Sequence, residues 1–227
     1  IITEYGPTWH KKKQGIPTMG GIIFIFSIYA AYFAVAFPYY ASSDYLIGRI
    51  LPSVGLTSLI IATLLGFMGF IDDFVKIKQK HNQGLTEKQK LIIQIFIGTI
   101  FIIYNGIRTN FRTSVDIPFT DITIEFSYFF YLFALIAFVG FVNAVNLTDG
   151  IDGLATSVTL PVAAFFTVTA IAKNAFDLSI LAAALLGGCI AFLVYNKNPA
   201  KVFMGDTGSM FLGGTVVTLA FGLDMPL

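Results

Sequence analysis

Two adjacent carboxylates, Asp72 and Asp73, directly follow the apolar run Gly66-Phe-Met-Gly-Phe-Ile71. Like charges at the edge of a low-dielectric segment repel strongly, and a divalent cation or a shared proton relieves the repulsion. A solvated helix end accounts readily for one aspartate there, less readily for an adjacent pair between apolar residues. On a helix Asp73, Lys76 and Lys80 share a face, which is either plain ion pairing or a device for holding a metal beside an anionic substrate. Three more segments break the apolar pattern: Lys13-Gln-Gly-Ile-Pro-Thr18-Met-Gly-Gly21, Asn143 to Gly153, and Asn196 to Ser209.

Asn143, Asn146, Asp149 and Asp152 recur every third residue, with Gly150 and Gly153 among them. Steps of three would rotate the first and last apart on a straight helix, and the glycines disfavour one. The spacing therefore predicts a helix end unwinding into a loop that gathers these groups around one point; ordinary turn formation is the alternative. Asp206-Thr-Gly-Ser209 reads as an N-cap opening a helix, and capping alone would explain Asp206. A helix start also attracts phosphate, and a carboxylate beside it can hold magnesium to that phosphate. Phe203 either stacks on a flat base or anchors an interface. Five aspartates (Asp72, Asp73, Asp149, Asp152 and Asp206) thus come from three loops, and hard oxygen donors suit Mg2+. His10 and His81 have no partner at zinc-ligand spacing, and the phosphate loop of Gly-x-x-x-x-Gly-Lys type is missing. The residues point to a magnesium-dependent site for a phosphate-bearing soluble substrate.

The elements that must position these groups are membrane spans. The chain is 56% hydrophobic with 24 Phe, its mean hydropathy is +0.79, and only 12% of residues are charged. A soluble domain carries about twice that share of charge. The apolar residues come in long runs, which predicts an all-α, polytopic transmembrane helical bundle. Seven spans are expected: Gly20 to Tyr39, Ile50 to Ile71, Leu91 to Tyr104, Tyr128 to Val145, Thr156 to Ala172, Leu178 to Tyr195 and Ser209 to Leu223. The third is short for a bilayer and should begin near Glu87, because Thr86 and Gln89 have the spacing of a capping box. The second should run on through Lys80 and stop at Asn82-Gln-Gly84. The alternating stretch from Ile117 to Phe126 suggests a small hairpin. The lone Cys189 sits in an apolar run and reads as a small buried hydrophobe.

Lysines sort the connecting loops into two sets. Lys11 to Lys13, then Lys76, Lys78, Lys80, Lys88 and Lys90, then Lys197 and Lys201 all fall on one side of a seven-span chain. The positive-inside rule makes that side cytoplasmic, and the four polar segments lie on it.

Those segments resemble the bacterial phospho-N-acetylmuramoyl-pentapeptide transferases, within the polyprenyl-phosphate N-acetylhexosamine-1-phosphate transferase superfamily. The matching stretches are Gly15-Ile-Pro-Thr-Met-Gly-Gly21, Asp72-Asp73 with its lysines, Asn143 through Gly153 continuing to Ser157, and Phe203-Met-Gly-Asp-Thr-Gly-Ser209. The resemblance implies transfer of phospho-MurNAc-pentapeptide from UDP-MurNAc-pentapeptide to undecaprenyl phosphate, giving lipid I and UMP, in the bacterial inner membrane with Mg2+ as cofactor. It implies Asp206 as the magnesium ligand, Asp72 acting on the lipid phosphate, and Asp73 aiding placement of metal or phosphate. Asn146, Asp149, Asp152, Asn196 and Phe203 would form the uridine-diphosphate pocket, with Phe203 on uracil, and Asn143 and Gly150 would also bind substrate. Lys13, Thr18, Lys76, Lys80 and Lys88 would contact phosphate and substrate. The expected partners are these two substrates and membrane lipid, with a homodimer left open and nucleic acid not among them.

Two rival readings are a sister transferase that moves GlcNAc-1-phosphate to the same lipid, and a transporter. Transporters place charges near the bilayer midplane, whereas here they gather at one edge. The family has about ten spans and a later histidine-rich motif, so the chain is expected to be one partial membrane domain, with a span before Ile1 and that motif after Leu227.

Overall fold

The computed structural model describes residues 15–42, 53–79, 83–116 and 122–225. Among the described residues, seven helices alternate in direction: α1 (Gly21–Ser42), α2 (Val54–Gln79), α3 (Glu87–Arg108), α4 (Phe129–Thr148), α5 (Leu154–Ala172), α6 (Phe176–Asn196) and α7 (Gly205–Gly222). A two-stranded antiparallel ribbon, β1 (Ser114–Asp116) with β2 (Thr123–Glu125), lies between α3 and α4. Of the hairpin expected over Ile117 to Phe126, β2 falls inside the stretch, whereas all of β1 precedes it, and residues 117–121 lie outside the described residues.

Among the described residues, six helices, α1 to α6, are long and apolar enough to cross a membrane. Their outward faces carry exposed Ile23, Phe26, Phe67, Phe96, Ile136 and Val168, as expected for side chains that meet lipid. The third span begins at Glu87, where Thr86 Oγ1 accepts from Gln89 N–H (3.3 Å) and Gln89 Oε1 accepts from Thr86 N–H (2.9 Å). The expected capping box therefore forms, and it lengthens that span to 22 residues.

The seventh helix differs from the rest. It is rich in Gly, Ser and Thr, and nearly all of its residues are buried. It faces protein, so apolar bulk is replaced by small residues and hydroxyls that let neighbours close in. Thr215 and Thr218 return their hydroxyls to the carbonyls of Phe211 and Gly214, which removes the cost of burying them. Around α7 pack α2, α4, α1 and α5, and the buried set of Phe24, Leu59, Leu65, Phe138, Phe211 and Leu212 fills the space between them. At the α3-end/α7-end side, Arg108 donates to Asn105 Oδ1, to the Gly222 carbonyl and to Asp224. Nearby in the chain's up-down order, Asp177 Oδ2 accepts from Gly55 N–H at 2.7 Å, so the first turn of α2 is capped by α6. The polar segments are all at the opposite end.

Candidate active site

The start of α7 is held by three neighbours. Gly20 and Gly21 N–H donate to the carbonyls of Phe203 and Met204 (both 2.9 Å), and Phe203 N–H donates to Pro17 O (2.9 Å). The Pro17-to-Gly21 stretch is therefore a backbone clamp on the Phe203-Met-Gly segment, with Thr18 exposed and Phe203 half-buried. From α2, Asp73 Oδ2 accepts from Thr207 N–H (2.9 Å) and Thr207 Oγ1 (2.7 Å), while its Oδ1 accepts from Asp206 N–H (3.3 Å). From α4, Asn146 Nδ2 donates to Ser209 Oγ (2.8 Å) and Asp206 Oδ1 (3.1 Å).

This corrects the expectation that Asp206 caps its own helix. The N-cap position is Met204, which makes no side-chain cap, and Asp206 stands in the first turn. The cap comes from Asp73, across the α2–α7 contact. Freed of that duty, Asp206 Oδ2 meets Lys76 Nζ (2.9 Å) and Lys90 Nζ (3.1 Å). Both ammonium groups also pair with Asp72 Oδ2. Asp72 is fully buried; its Oδ1 accepts from Leu85 N–H at 2.6 Å, and its Oδ2 accepts no well-aligned hydrogen bond, only the two ion pairs. Two carboxylates thus share two ammonium groups in a partly buried cluster.

Asp72, Asp73 and Asp206 each bring an oxygen within 4.8 Å of the others, and three hard donors fit a divalent cation. The hydrogen bonds separate them. Asp73 has both oxygens committed to α7, whereas Asp72 and Asp206 each hold one oxygen, Oδ2, against lysine heads that a metal could displace. The described residues that would hold such an ion are accordingly Asp72 and Asp206.

The other expected residues fan out rather than gather around one point. Asn143 turns to α3 and forms a reciprocal amide pair with buried Gln94 (2.6 and 3.1 Å). Asn146 reaches Asp206. Asp152 Oδ2 accepts from Ala200 N–H (3.1 Å) and Asn198 Nδ2 (3.4 Å), and Gly150 is exposed. The physical reason is that α4 stays helical through Thr148, so its three-residue steps do rotate. Asn196 is buried: its Oδ1 accepts from Gly153 N–H (3.0 Å) and its Nδ2 donates to Val202 O (2.9 Å), latching α5, α6 and the loop before α7. Replacing Asn196 with alanine would orphan both backbone groups. The expected cost is about 2–4 kcal/mol, read as a lower thermal midpoint in detergent.

Lys76 is in the cluster, Lys88 is exposed, and Lys13 and Lys80 lie outside the described residues. Sequence reasoning passed over Lys90, which takes the place beside Asp72 and Asp206. Its signal was the four-residue spacing to Gln94, a polar stripe on one face of an apolar helix.

Asp149, at the C-cap of α4, is half-buried. Burial first, then the negative charges of Asp206 and Asp73, push its carboxyl up from 3.8 to about 7. The folded chain then holds a proton that the unfolded chain releases near 3.8. Stability from this group is full below that value and falls as pH rises through about 7. Thermal melts of the wild type and Asp149→Asn should therefore diverge as pH rises from 4 to 8, with the variant lacking this descending component.

The Glycosyl transferase family 4 model matches residues 56–223. The Phospho-N-acetylmuramoyl-pentapeptide-transferase signature 1 matches residues 13–25. Among the relatives is a phospho-N-acetylmuramoyl-pentapeptide-transferase of Halalkalibacterium halodurans, 42% identical over 220 residues, covering 96% of this chain and 64% of the relative. Proteins of the same name from Listeria monocytogenes and Bacillus subtilis are each 40% identical over 220 residues, with the same coverage. The chain thus spans 64% of the length of these relatives.

Proposed function

The chain belongs to glycosyl transferase family 4, and from that premise we propose that it transfers phospho-MurNAc-pentapeptide from UDP-MurNAc-pentapeptide to undecaprenyl phosphate, yielding lipid I and UMP. The observation that carries this reading is the cluster in which Asp72 and Asp206 share Lys76 and Lys90 at one end of a membrane bundle. It joins the two requirements of phosphoryl transfer, carboxylates for a divalent ion and cations for phosphate oxygens. The excess of lysine at that end supports a cytoplasmic site in the bacterial inner membrane.

Mg2+ held by Asp72 and Asp206 would neutralise the diphosphate and stabilise UMP as it leaves. Lys76 and Lys90, released from those carboxylates, would swing onto phosphate oxygens while remaining tethered to α2 and α3. Asn146 keeps Asp206 oriented from α4. The loop before α5, with Asp149 and Asp152, and the loop before α7, with Phe203, would receive the uridine end, with Asn196 tying the two loops together; Lys13, Thr18, Lys80 and Lys88 would make outer contacts to substrate. Attack by the lipid phosphate itself is favoured over an aspartyl-phosphate. Asp72 is fully buried, its Oδ1 is held by Leu85 N–H, and its Oδ2 would be engaged by the ion, a poor setting for a nucleophile that must reach phosphorus.

The test is release of UMP by the detergent-purified protein with undecaprenyl phosphate, offering UDP-MurNAc-pentapeptide or UDP-GlcNAc as donor. Magnesium-dependent release from the first donor alone is expected. Release from UDP-GlcNAc alone would replace this reading with a GlcNAc-1-phosphate transferase.

A further inference from the structure

We propose that Asp73 is a positioning residue. It acts through the first turn of α7 to aim the Asp206 carboxylate at Asp72, and it does not itself hold metal or substrate. The proposal rests on the reading that Asp72 and Asp206 are the working pair. Distance alone would make Asp73 their equal, since its oxygen falls in the same group of three. Bonding makes it different. Asp73 is 8% exposed, and its two oxygens accept three hydrogen bonds, all from Asp206 and Thr207.

Two of those donors are backbone N–H groups that no residue of α7 satisfies, because Met204 at the N-cap offers no acceptor, and the third is the Thr207 hydroxyl. An unpaired donor at a buried helix start is costly, and a carboxylate there also gains from the helix dipole. Drawing Asp73 away to a metal would strand Thr207 N–H and its hydroxyl together. The backbone is shaped for this arrangement: Gly205 has φ +74°, and a Cβ at that position would stand 2.7 Å from Asp73 Oδ2. Asp73 therefore grips the backbone of the very residue whose side chain meets Lys76, Lys90 and Asn146.

Two measurements decide the matter. The first is amide hydrogen exchange over residues 203–210. In the wild type, adding Mg2+ with UDP should leave the protection of Asp206 and Thr207 unchanged. Exchange there should quicken in Asp73→Asn, whose amide group turns a donor toward donors, and pairing it with Thr207→Val should add little. The second is Mn2+ affinity, followed by electron paramagnetic resonance, together with kcat and KM for UMP release, in Asp73→Asn, Thr207→Val and the double variant. Asp73→Asn should weaken Mn2+ roughly tenfold, the equivalent of one charge-assisted hydrogen bond. The double variant should match Asp73→Asn alone, since both changes break one linkage. Loss of Thr207 protection when metal binds, or effects of the two changes that multiply, would overturn the proposal. If the wild type releases no UMP, the transferase reading fails, while the exchange result still decides the role of Asp73.

Discussion

Asp206→Ala is expected to lower magnesium-dependent UMP release by about 10³-fold or more, the scale on which removal of a charge-stabilising group acts in a preorganised site. Three contacts disappear together: Oδ2 to Lys76 and Lys90, and Oδ1 to Asn146. Lys76 and Lys90 would then depend on Asp72 alone, two ammonium groups against one carboxylate. Like-charge repulsion inside a partly buried cluster would push one lysine outward, and the site would lose its cation-binding pair as well as its lysine geometry. Asp206→Asn separates these effects. It keeps a side chain of the same shape next to Asn146 but gives up the charge, so activity should stay near the alanine level. Stability should fall only modestly, since Asp206 and both lysines keep some exposure to solvent. Steady-state UMP release and Mn2+ titration would read both variants. Activity of Asp206→Asn within tenfold of the wild type would remove Asp206 from the centre of the mechanism.

The same residue shows where a sequence is readable and where it is not. Asp-Thr-Gly-Ser is a local pattern of helix capping, and local patterns are judged against neighbours in the chain. The acceptor that caps α7 stands 133 residues away on α2, and nothing in the pattern around Asp206 could reveal it. The capping box of α3 was legible because both partners, Thr86 and Gln89, lie within one turn. The positions of six of the seven expected spans were legible for a similar reason, since apolar length is a property of each segment alone; the seventh, Ser209 to Leu223, is not among the helices long and apolar enough to cross a membrane. The burial of α7 was not, because helices that face protein and helices that face lipid differ only in which neighbours surround them. Its Gly, Ser and Thr content was the visible trace. The meeting of the four polar segments at one end was foreseen from topology. The partners within that end were not: Asn143 goes to Gln94, Asp152 to Ala200, and Lys90 rather than Lys88 to the carboxylates.

Gly69→Ala should damage the site from a distance of one helix face. Gly69 lies on α2 where that helix crosses the first turn of α7, the most extensive helix pair in the bundle. A Cβ on Gly69 would fall inside the van der Waals envelope of the Asp206 carbonyl oxygen and 2.8 Å from Thr207 N. Both obstacles are backbone, so no side-chain rotation can make room, and α7 must move away from α2. That movement stretches the three hydrogen bonds to Asp73 and carries Asp206 off the lysines. Overpacking of this kind costs about 1–3 kcal/mol. A shift of roughly 1 Å in a positioned catalytic group costs about 10²-fold in rate. The variant should therefore keep its span content by circular dichroism, melt at a lower temperature, and lose activity far beyond its loss of folded protein. Gly140→Ala on α4 is the matched control, since a Cβ there meets nothing within 4 Å. The same substitution at that position should be neutral or slightly stabilising, as alanine is preferred in a helix. Equal behaviour of the two variants would mean that the close approach of α2 and α7 does not hold the site together.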